Sequence, residues 1–472
     1  MSQLRALLAH ITNAVDALDK ACAVSGTRIP DLDEPFNLAG ETLSNDPAAL
    51  EAAGTISAAA LQMHAILATP RNAFFYSVGG QWKSAALRTA LEAHSVEIIR
   101  EAGPQGLHVN DIAAKTGIDA QKLGRCLRLL ATHHIFRELK PEVFANTRWS
   151  TLYDTHKSVK EILADPDHKF VHTNGIGSLA AHLLDDHFKA SAFQWEATRD
   201  PAIGKGGDPA NAPFAVGITG GKDFWNWVEH PDRAYIHRRF DVGMRGAQAM
   251  QSDNTTVIAL DWKSLPKDSL VVDVGGGVGS AALALARAHP HLKIIIQDRA
   301  PVIENGLQVW KKELPNALQS GRVQFQAHSF LTTQPQKNAD VFFMKNILHD
   351  WSDEFSYKIL KPLRDAATPK TRLVIVEVVA PYACHDPNDG ATSDIVGAVP
   401  QEAPEPLLAN WGIVNQTAYS LDMAMLNLFL GQERTIGQFD RLLKSAGWKI
   451  VAVHRQPGID VAVTSGIEAV PI

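Results

Sequence analysis

The C-terminal half of the chain is predicted to be an α/β domain built on a doubly wound, mostly parallel β-sheet. Two observations predict this fold. Six short apolar segments alternate with helical stretches after residue 265, and a glycine-rich turn joins the first segment to a helix. Such alternation buries a parallel sheet between two layers of helices. The predicted strands are residues 270–274, 293–297, 323–327, 341–344, 372–378 and 448–454.

The N-terminal half is predicted to be helical and to contain a winged helix. Residues 1–75 are expected to form peripheral helices. From residue 82 a helix, a helix-turn-helix and two short strands follow in the order of a winged helix. Asn110 or Asp111 is a suitable helix cap, because short polar side chains accept amide hydrogen bonds there. The predicted elements are helices at 84–102, 109–114 and 120–133 and strands at 135–138 and 143–146.

These patterns divide the chain into four predicted regions. The aromatic side chains of the third region indicate core packing or the wall of a pocket for a flat apolar ligand. A proline-rich segment at 384–418 interrupts the sheet domain and is predicted to be a surface loop or lid over its catalytic face. The regions are a helical arm (1–80), a winged-helix domain (81–155), a helical region (156–262) and the sheet domain (263–472).

Composition and charge argue against several classes of protein. The 472 residues carry a formal charge of −6, and nucleic-acid binding needs a basic face. The three cysteines, Cys22, Cys126 and Cys384, are far apart, so we expect reduced thiols, no metal site and a cytoplasmic location. No apolar run approaches the roughly 20 residues that span a bilayer, and no membrane partner is expected.

A winged helix can bind DNA, and its second helix carries Lys122, Arg125 and Arg128. The leucines of that helix leave little of it free to enter a groove, so we favour a scaffold or dimerisation role. The N-terminal segment is interpreted as an amphipathic helix rather than a signal peptide. It either packs on its own domain or reaches across to a second copy of the chain. Its apolar positions are Leu4, Leu7, Leu8, Ile11, Val15 and Leu18.

The glycine-rich turn predicts a cofactor site. In the sequence LVVDVGGGVG, residues 270–279, Gly275 and Gly277 bare the backbone in front of a helix N-terminus. Asp298 ends the next strand, where a carboxylate can accept hydrogen bonds from a ribose diol. Both a dinucleotide and S-adenosylmethionine fit this pattern. Asp273, two positions before the first glycine, is unfavourable for a pyrophosphate and favourable for an ammonium and a sulfonium, which indicates S-adenosylmethionine.

A histidine at the end of a central strand is predicted to be a general base. His349 follows the strand at 341–344, and an imidazole with a pKa of about 6.5 is largely neutral near pH 7. Glu377 ends the next strand and Glu433 lies in GQERT. Carboxylates on the far side of the ring would fix its tautomer and stabilise the imidazolium.

The chain resembles the plant-type class I O-methyltransferases, in their fungal branch, which methylate phenols and flavonoids. The resemblance covers residues 82–472 and is carried by VVDVGGGVGS, IIQDRAPVIENG, ILHDWSDE, VIVEVVAP, DMAML and GQERT. It implies that His349 is the base, that Glu377 and Glu433 support it, and that the winged helix forms a homodimer. It also implies cofactor contacts for the glycines, Asp298 and Lys345, and a substrate contact for Met425.

One departure from the family falls at the adenine end of the cofactor site. The family has an aspartate there, followed by an apolar residue, and this chain has Ser329 and Phe330. A serine hydrogen bond is weaker than that of a carboxylate.

The resulting expectation is methyl transfer from S-adenosylmethionine to a hydroxyl of a small aromatic acceptor, and that hydroxyl is expected to be phenolic. The first alternative is a pericyclase-like enzyme that binds the cofactor without methyl transfer, and the second is a DNA-binding regulator. Retention of His349 with both glutamates favours methyl transfer. The sequence leaves the acceptor unidentified.

Overall fold

The computed structural model describes residues 2–43, 46–251, 254–386 and 394–472. The chain forms two compact units. The first contains the residues up to 199 together with 213–250, and the second contains 200–212 and 251–472. The predicted helical region at 156–262 is therefore shared between the two units. Among the described residues, no helix combines the length and the apolar character needed to cross a membrane.

The first unit is mainly helical. The segments Leu183–His187 and Ala215–Thr219 are single π-helical turns. The elements are α1 Gln3–Ser25, α2 Pro47–Leu67, α3 Pro70–Val78, α4 Gly80–Glu92, α5 Ser95–Ala102, β1 Leu107–His108, α6 Val109–Thr116, α7 Ala120–Thr132, β2 Phe136–Lys140, β3 Val143–Asn146, α8 Arg148–Thr151, α9 Val159–Ala164, α10 Ile176–His182, α11 Phe188–Ser191, α12 Gln194–Arg199, α13 Phe224–Val228 and α14 Ala234–Ala249.

The winged helix is present, with two local differences from the prediction. Strands β1, β3 and β2 pair in that order beside helices α5 to α7. The predicted helix at 84–102 is two helices, because His94 adopts a left-handed conformation (φ 52°) between α4 and α5. The expected cap was wrong: His108 Nδ1 accepts the N–H of Asn110 (3.2 Å), and α6 begins at Val109.

The N-terminal helix α1 packs against α2 of the same chain. Leu18 is buried with Ala49 and Ala52 of α2. Two other apolar side chains of α1, those of Leu8 and Val15, are 54% and 41% exposed. Packing within the chain is therefore found, and the contribution of this helix to a second subunit stays a prediction.

The second unit is a seven-stranded sheet, counted over the described residues, with helices on both faces. Its strand order is β6-β5-β4-β7-β8-β10-β9. The elements are α15 Asn254–Ile258, β4 Leu270–Val274, α16 Ser280–Ala288, β5 Lys293–Asp298, α17 Ala300–Glu313, α18 Pro315–Gln319, β6 Val323–Ala327, β7 Val341–Lys345, α19 Asp353–Ala366, β8 Arg372–Glu377, α20 Gln416–Phe429, α21 Ile436–Ser445, β9 Trp448–His454 and β10 Ser465–Pro471.

The predicted doubly wound fold is confirmed, together with all six predicted strands. Strands β4 to β8 are parallel, and their apolar side chains form one core on each face of the sheet. Strand β10 was not predicted. It is inserted antiparallel between β8 and β9, and Glu468 within it is buried and pairs with Arg372 and with His454 Nε2 (3.0 Å). Because Glu468 interrupts the apolar residues of this short segment, the sequence lacks the apolar pattern that predicts a strand.

The described part of the predicted loop at 384–418 is anchored rather than merely superficial. Trp411 is buried, and its Nε1 donates to the carbonyl of Gln401 (3.0 Å). The side-chain amide of Asn415 donates to the carbonyls of Asn410 (3.0 Å) and Ile459 (2.8 Å). Residues 387–393 of this segment lie outside the described residues.

Candidate active site

The glycine-rich turn between β4 and α16 leaves no room for a side chain at Gly275 or Gly276. Gly275 and Gly277 have φ values of 71° and 60°, which disfavour other residues. A Cβ added at Gly275 would lie 2.6 Å from Ile347 Cδ1, and one at Gly276 would lie 2.5 Å from Asp273 Oδ2. The turn therefore presents backbone, and not side chains, at the carboxyl edge of the sheet.

Asp273 suits a cationic ligand group. Its side chain is buried, and Oδ2 has no hydrogen-bond partner. Burial, with a smaller contribution from Asp298, raises the pKa of Asp273 to about 7, while Lys345 opposes this rise. An ammonium group of a ligand would satisfy this oxygen and favour its charged form. The buried oxygen thus fits the amino-acid part of S-adenosylmethionine.

Asp298 ends β5 as predicted, and its carboxylate braces the glycine turn. Oδ2 accepts the N–H of Gly277 (2.8 Å), and Oδ1 accepts the N–H of Arg299 (2.7 Å). Carboxylate oxygens can accept more than one hydrogen bond, so a ribose hydroxyl can share this group. Asp298 links the turn after β4 to the end of β5.

The adenine-side pair follows β6. Ser329 is exposed, and its Oγ accepts the N–H of Leu331 (3.4 Å). The Phe330 ring meets Trp351 edge to face, with 5.9 Å between ring centroids. Lys345 is the last residue of β7. All the proposed cofactor residues thus lie at or just beyond the carboxyl ends of parallel strands β4 to β7.

His349 lies in a short turn, Leu348–Asp350, immediately after β7. Its Nδ1 is 2.9 Å from Glu433 Oε1, and the imidazole is 19% exposed. Because a carboxylate accepts the proton on Nδ1, Nε2 is the nitrogen that can lose or gain a proton. The structure therefore brings together His349 and Glu433, which are 84 positions apart in the sequence.

Glu377 does not contact the imidazole, and the expectation that it orients the ring directly was wrong. Its Oε1 accepts the backbone N–H groups of Ile347 (3.1 Å), Leu348 (2.5 Å) and His349 (3.3 Å). Strand β8 ends beside β7, so its final side chain meets the first amides after β7 rather than the ring. Glu377 fixes the turn that carries His349 and affects the ring only through its charge.

Three ionisable groups of the site have shifted pKa values. Burial lowers the pKa of His349, but Glu433, Asp350 and Glu377 outweigh this effect and raise it to about 10. Burial raises the pKa of Glu377 to about 7 and that of Asp350 to about 6. The three carboxylates around the ring therefore favour the imidazolium. The expected neutral imidazole near pH 7 stays a prediction.

Sequence reasoning missed two residues of this site. Asp350 Oδ1 is 3.6 Å from His349 Nε2, on the side opposite Glu433. Arg434 is fully buried and donates to the backbone of the turn that carries His349. Their positions next to His349 and Glu433 were the available signals.

Met425 is buried on α20, and its carbonyl accepts the N–H of Gly431 (3.2 Å). Its role as a substrate contact stays a prediction. Among the described residues, no group of three or more His, Cys, Asp or Glu side chains is arranged to hold a metal ion.

Family models match the chain in two places. An O-methyltransferase dimerisation domain matches residues 76–156, and an O-methyltransferase domain matches residues 213–449. The fold and the glycine turn are therefore those of an S-adenosylmethionine-dependent methyltransferase. The chain belongs to the O-methyltransferase family, as its motifs had indicated, because the family model and the relatives described next are all O-methyltransferases.

The similarity to relatives extends over the whole chain. A 4-O-methyltransferase 1 of Phanerochaete chrysosporium is 45% identical over 100% of this chain and 99% of its own length. An O-methyltransferase of Armillaria gallica is 38% identical over 96% and 95%. These matches confirm the prediction that the chain is an O-methyltransferase.

Solved structures share the fold. The mitomycin 7-O-methyltransferase MmcR aligns over 88% of this chain and 98% of its own, with a TM-score of 0.60 and 22% identity. LepI, solved with S-adenosylhomocysteine and a substrate analogue, aligns over 89% and 94%, with a TM-score of 0.66 and 17% identity. Another LepI structure contains S-adenosylmethionine. These structures share the fold, and the family match supports S-adenosylmethionine as the cofactor.

Proposed function

We propose that this O-methyltransferase methylates a phenolic hydroxyl of a small aromatic acceptor, with His349 as the general base and Glu433 as the residue that orients it. The observation that carries the proposal is the 2.9 Å contact between His349 Nδ1 and Glu433 Oε1. It holds the ring with Nε2 available for proton transfer, at the edge of the sheet where Asp273 and the glycine turn lie.

In the proposed reaction, Nε2 of His349 accepts the proton that the acceptor hydroxyl loses. S-adenosylmethionine, when bound, supplies an electrophilic methyl group on a positively charged sulfur. The acceptor oxygen forms the new C–O bond as the C–S bond breaks, and the electron pair leaves with sulfur. His349 Nε2 takes the hydroxyl proton, and Glu433 stabilises the imidazolium that results. Holding the groups in line supplies much of the rate.

A phenol suits an imidazole base better than an aliphatic alcohol does. The carboxylates beside His349 raise its pKa and so make it a stronger base. A phenol such as that of tyrosine has a pKa of about 10, whereas an aliphatic hydroxyl is a much weaker acid. A cationic ligand beside the ring would lower the pKa of His349 and increase the fraction of free Nε2 near neutral pH. The relatives named 4-O-methyltransferase 1 and 3-O-methyltransferase 2 fit methylation at numbered hydroxyls.

Matched acceptors test the proposal. The protein is incubated with methyl-labelled S-adenosylmethionine and either phenols or benzylic alcohols of the same ring size. We expect labelled phenol ethers and one S-adenosylhomocysteine per ether. Methylation of the alcohols alone would contradict the phenolic acceptor. Consumption of an acceptor without S-adenosylhomocysteine would indicate a pericyclic reaction instead.

We also propose a homodimer in the cytoplasm. The dimerisation-domain match at residues 76–156 supports the dimer, and the scattered cysteines support a reducing compartment. Light scattering of the full chain should give a mass near twice 51.3 kDa. A monomer at micromolar concentration would contradict this part of the proposal.

A further inference from the structure

We propose that Arg434 is a positioning residue for the methyl-transfer reaction: its buried guanidinium fixes the backbone on both sides of His349 and so aims the imidazole. The inference rests on the proposed role of His349 as base. It adds that Arg434, within the segment 431–435, helps to hold His349 in position.

The contacts of Arg434 bracket the base. Nη1 donates to the carbonyl of Leu348 (2.8 Å), and Nη2 donates to the carbonyl of Trp351 (2.7 Å). His349 and Asp350 are the two residues between these carbonyls. Nη2 also donates to Ser356 Oγ (3.1 Å). One planar group therefore ties both ends of the turn to the first part of α19.

The guanidinium is itself held in place. Nε donates to Asp353 Oδ1 (2.9 Å), and the side chain is fully buried. The carbonyl of Arg434 accepts the N–H of Ala380 (3.1 Å), just beyond β8. Its orientation is thus defined by the sheet on one side and by α19 on the other. A lysine could contact only one of the two carbonyls well, because its ammonium is a single point and not a fork.

The same short segment carries the partner of the imidazole. Glu433 contacts the ring, and Gln432 donates its N–H to the carbonyl of His349 (2.9 Å). A Cβ added at Gly431 would overlap that carbonyl oxygen. Successive residues therefore contact the turn and the ring, so Arg434 sets the distance between the base and its orienting carboxylate.

The charge of Arg434 acts in the same direction. Asp350, Glu377 and Glu433 place three carboxylates around one imidazole. Burial raises the pKa of Glu377, and Arg434 is among the groups that oppose this rise. Loss of the guanidinium would favour a protonated Glu377, which would weaken its hold on the three amides of the turn. Geometry carries the inference, and charge supports it.

Arg364 provides the matched control. It also bridges two carbonyls of the second unit: Nε donates to Gly447 (2.9 Å) and Nη2 to Ile472 (2.8 Å). None of these contacts involves the turn that carries His349. A purely structural role for Arg434 would make its substitution resemble that of Arg364.

The test compares Arg434→Lys with Arg364→Lys. At matched fractions of folded protein, we expect Arg434→Lys to lower kcat by about 10-fold to 100-fold, with KM and the Kd of S-adenosylmethionine within about twofold of wild type. Its pH–rate profile should also move, whereas Arg364→Lys should keep kcat and the profile. Equal kcat values for the two variants would overturn the proposal.

A second variant and a double-mutant cycle complete the test. Asp353→Ala removes the acceptor of Arg434 Nε at an exposed position and should reduce kcat a few-fold without a change in Tm; an unchanged kcat would count against Arg434. If Arg434 acts through His349, Arg434→Lys should have no further effect in a His349→Ala background. A fully active His349→Ala would instead refute the proposed base, which separates the two failures.

Discussion

Each of the two units has a histidine–carboxylate cluster among its described residues, at His182 and at His349, and the charges around the two histidines differ. In the first unit His182 Nδ1 is 2.8 Å from Asp186 Oδ2, and Arg239 Nη2 is 2.6 Å from the same oxygen. In the second unit one histidine lies among three carboxylates. Both clusters combine a histidine with carboxylates, but in the first cluster arginine and lysine side chains also pair with the carboxylates.

The ionisation of the two clusters reflects this difference. In the first unit burial opposes the charge of Asp185, but Lys189 and Arg239 outweigh it and lower the pKa of Asp185. In the second unit Glu377 Oε2 and Glu433 Oε2 are buried without hydrogen-bond partners. In the first cluster the carboxylate charges are compensated by cations, which suits a structural role between helices. In the second cluster the excess of carboxylates shifts the pKa values, which suits proton exchange.

The largest expected effect is the loss of kcat when His349 is replaced, compared with the replacement of a histidine outside the proposed reaction. His349→Ala should lower kcat by about 100-fold to 10,000-fold, the usual contribution of a general base, while binding of S-adenosylmethionine is retained. Calorimetry and a methyl-transfer assay measure both. His454→Ala is the matched control, because His454 also pairs with a glutamate of the second unit. Similar kcat losses in both variants would contradict a special role for His349.

Arg239→Met should affect stability rather than chemistry. It leaves Asp185 and Asp186 with too few cations in a buried position, so we expect a loss of about 3–5 kcal/mol in the free energy of unfolding. Denaturant titration measures this loss, and kcat per folded molecule should persist. Arg238→Met, one position earlier on α14 and less buried, should cost under about 1 kcal/mol. A strong kcat loss at full folding would place the first cluster in the reaction.

Glu433→Gln should shift the pH dependence of the reaction. Among the groups that raise the pKa of His349, Glu433 is the strongest, so its loss lowers that pKa. The rate depends on unprotonated Nε2, and the acidic limb of the pH–kcat/KM profile should therefore move to lower pH. The maximum rate should fall by about 10-fold to 100-fold because the orienting contact is lost. Glu468→Gln, the matched control at the His454 pair, should leave the limb in place.

The smallest effect concerns the cofactor. Ser329→Asp should tighten S-adenosylmethionine by about 1 kcal/mol, or roughly fivefold, because hydrogen bonds to a charged acceptor are stronger. Ser320→Asp adds the same charge before the other end of β6 and should leave Kd unchanged. Titration calorimetry compares the two variants. An equal Kd for both would remove Ser329 from the adenine contact.

Local patterns predicted the sheet and the cofactor turn well. Strand β4 and its glycines are specified within ten residues, since an apolar run and a positive φ are properties of adjacent positions. Strand β10 was missed because its buried Glu468 is stabilised by Arg372 and His454, which are distant in the sequence. The break at His94 was missed for a related reason: a left-handed histidine has no distinctive local pattern.

The sequence by itself determined the family, the parallel sheet, the glycine turn and the strand-end histidine, because each follows from residues that are neighbours in the chain. Only the tertiary structure decided which residues contact each other in the site. Glu433 contacts the His349 ring, Glu377 binds the backbone of the turn that carries His349, and Arg434 spans that turn. It also decided which carboxylates lie near His349 and raise its pKa. A pKa depends on charges within a few ångströms, and those charges come from segments up to 84 positions away.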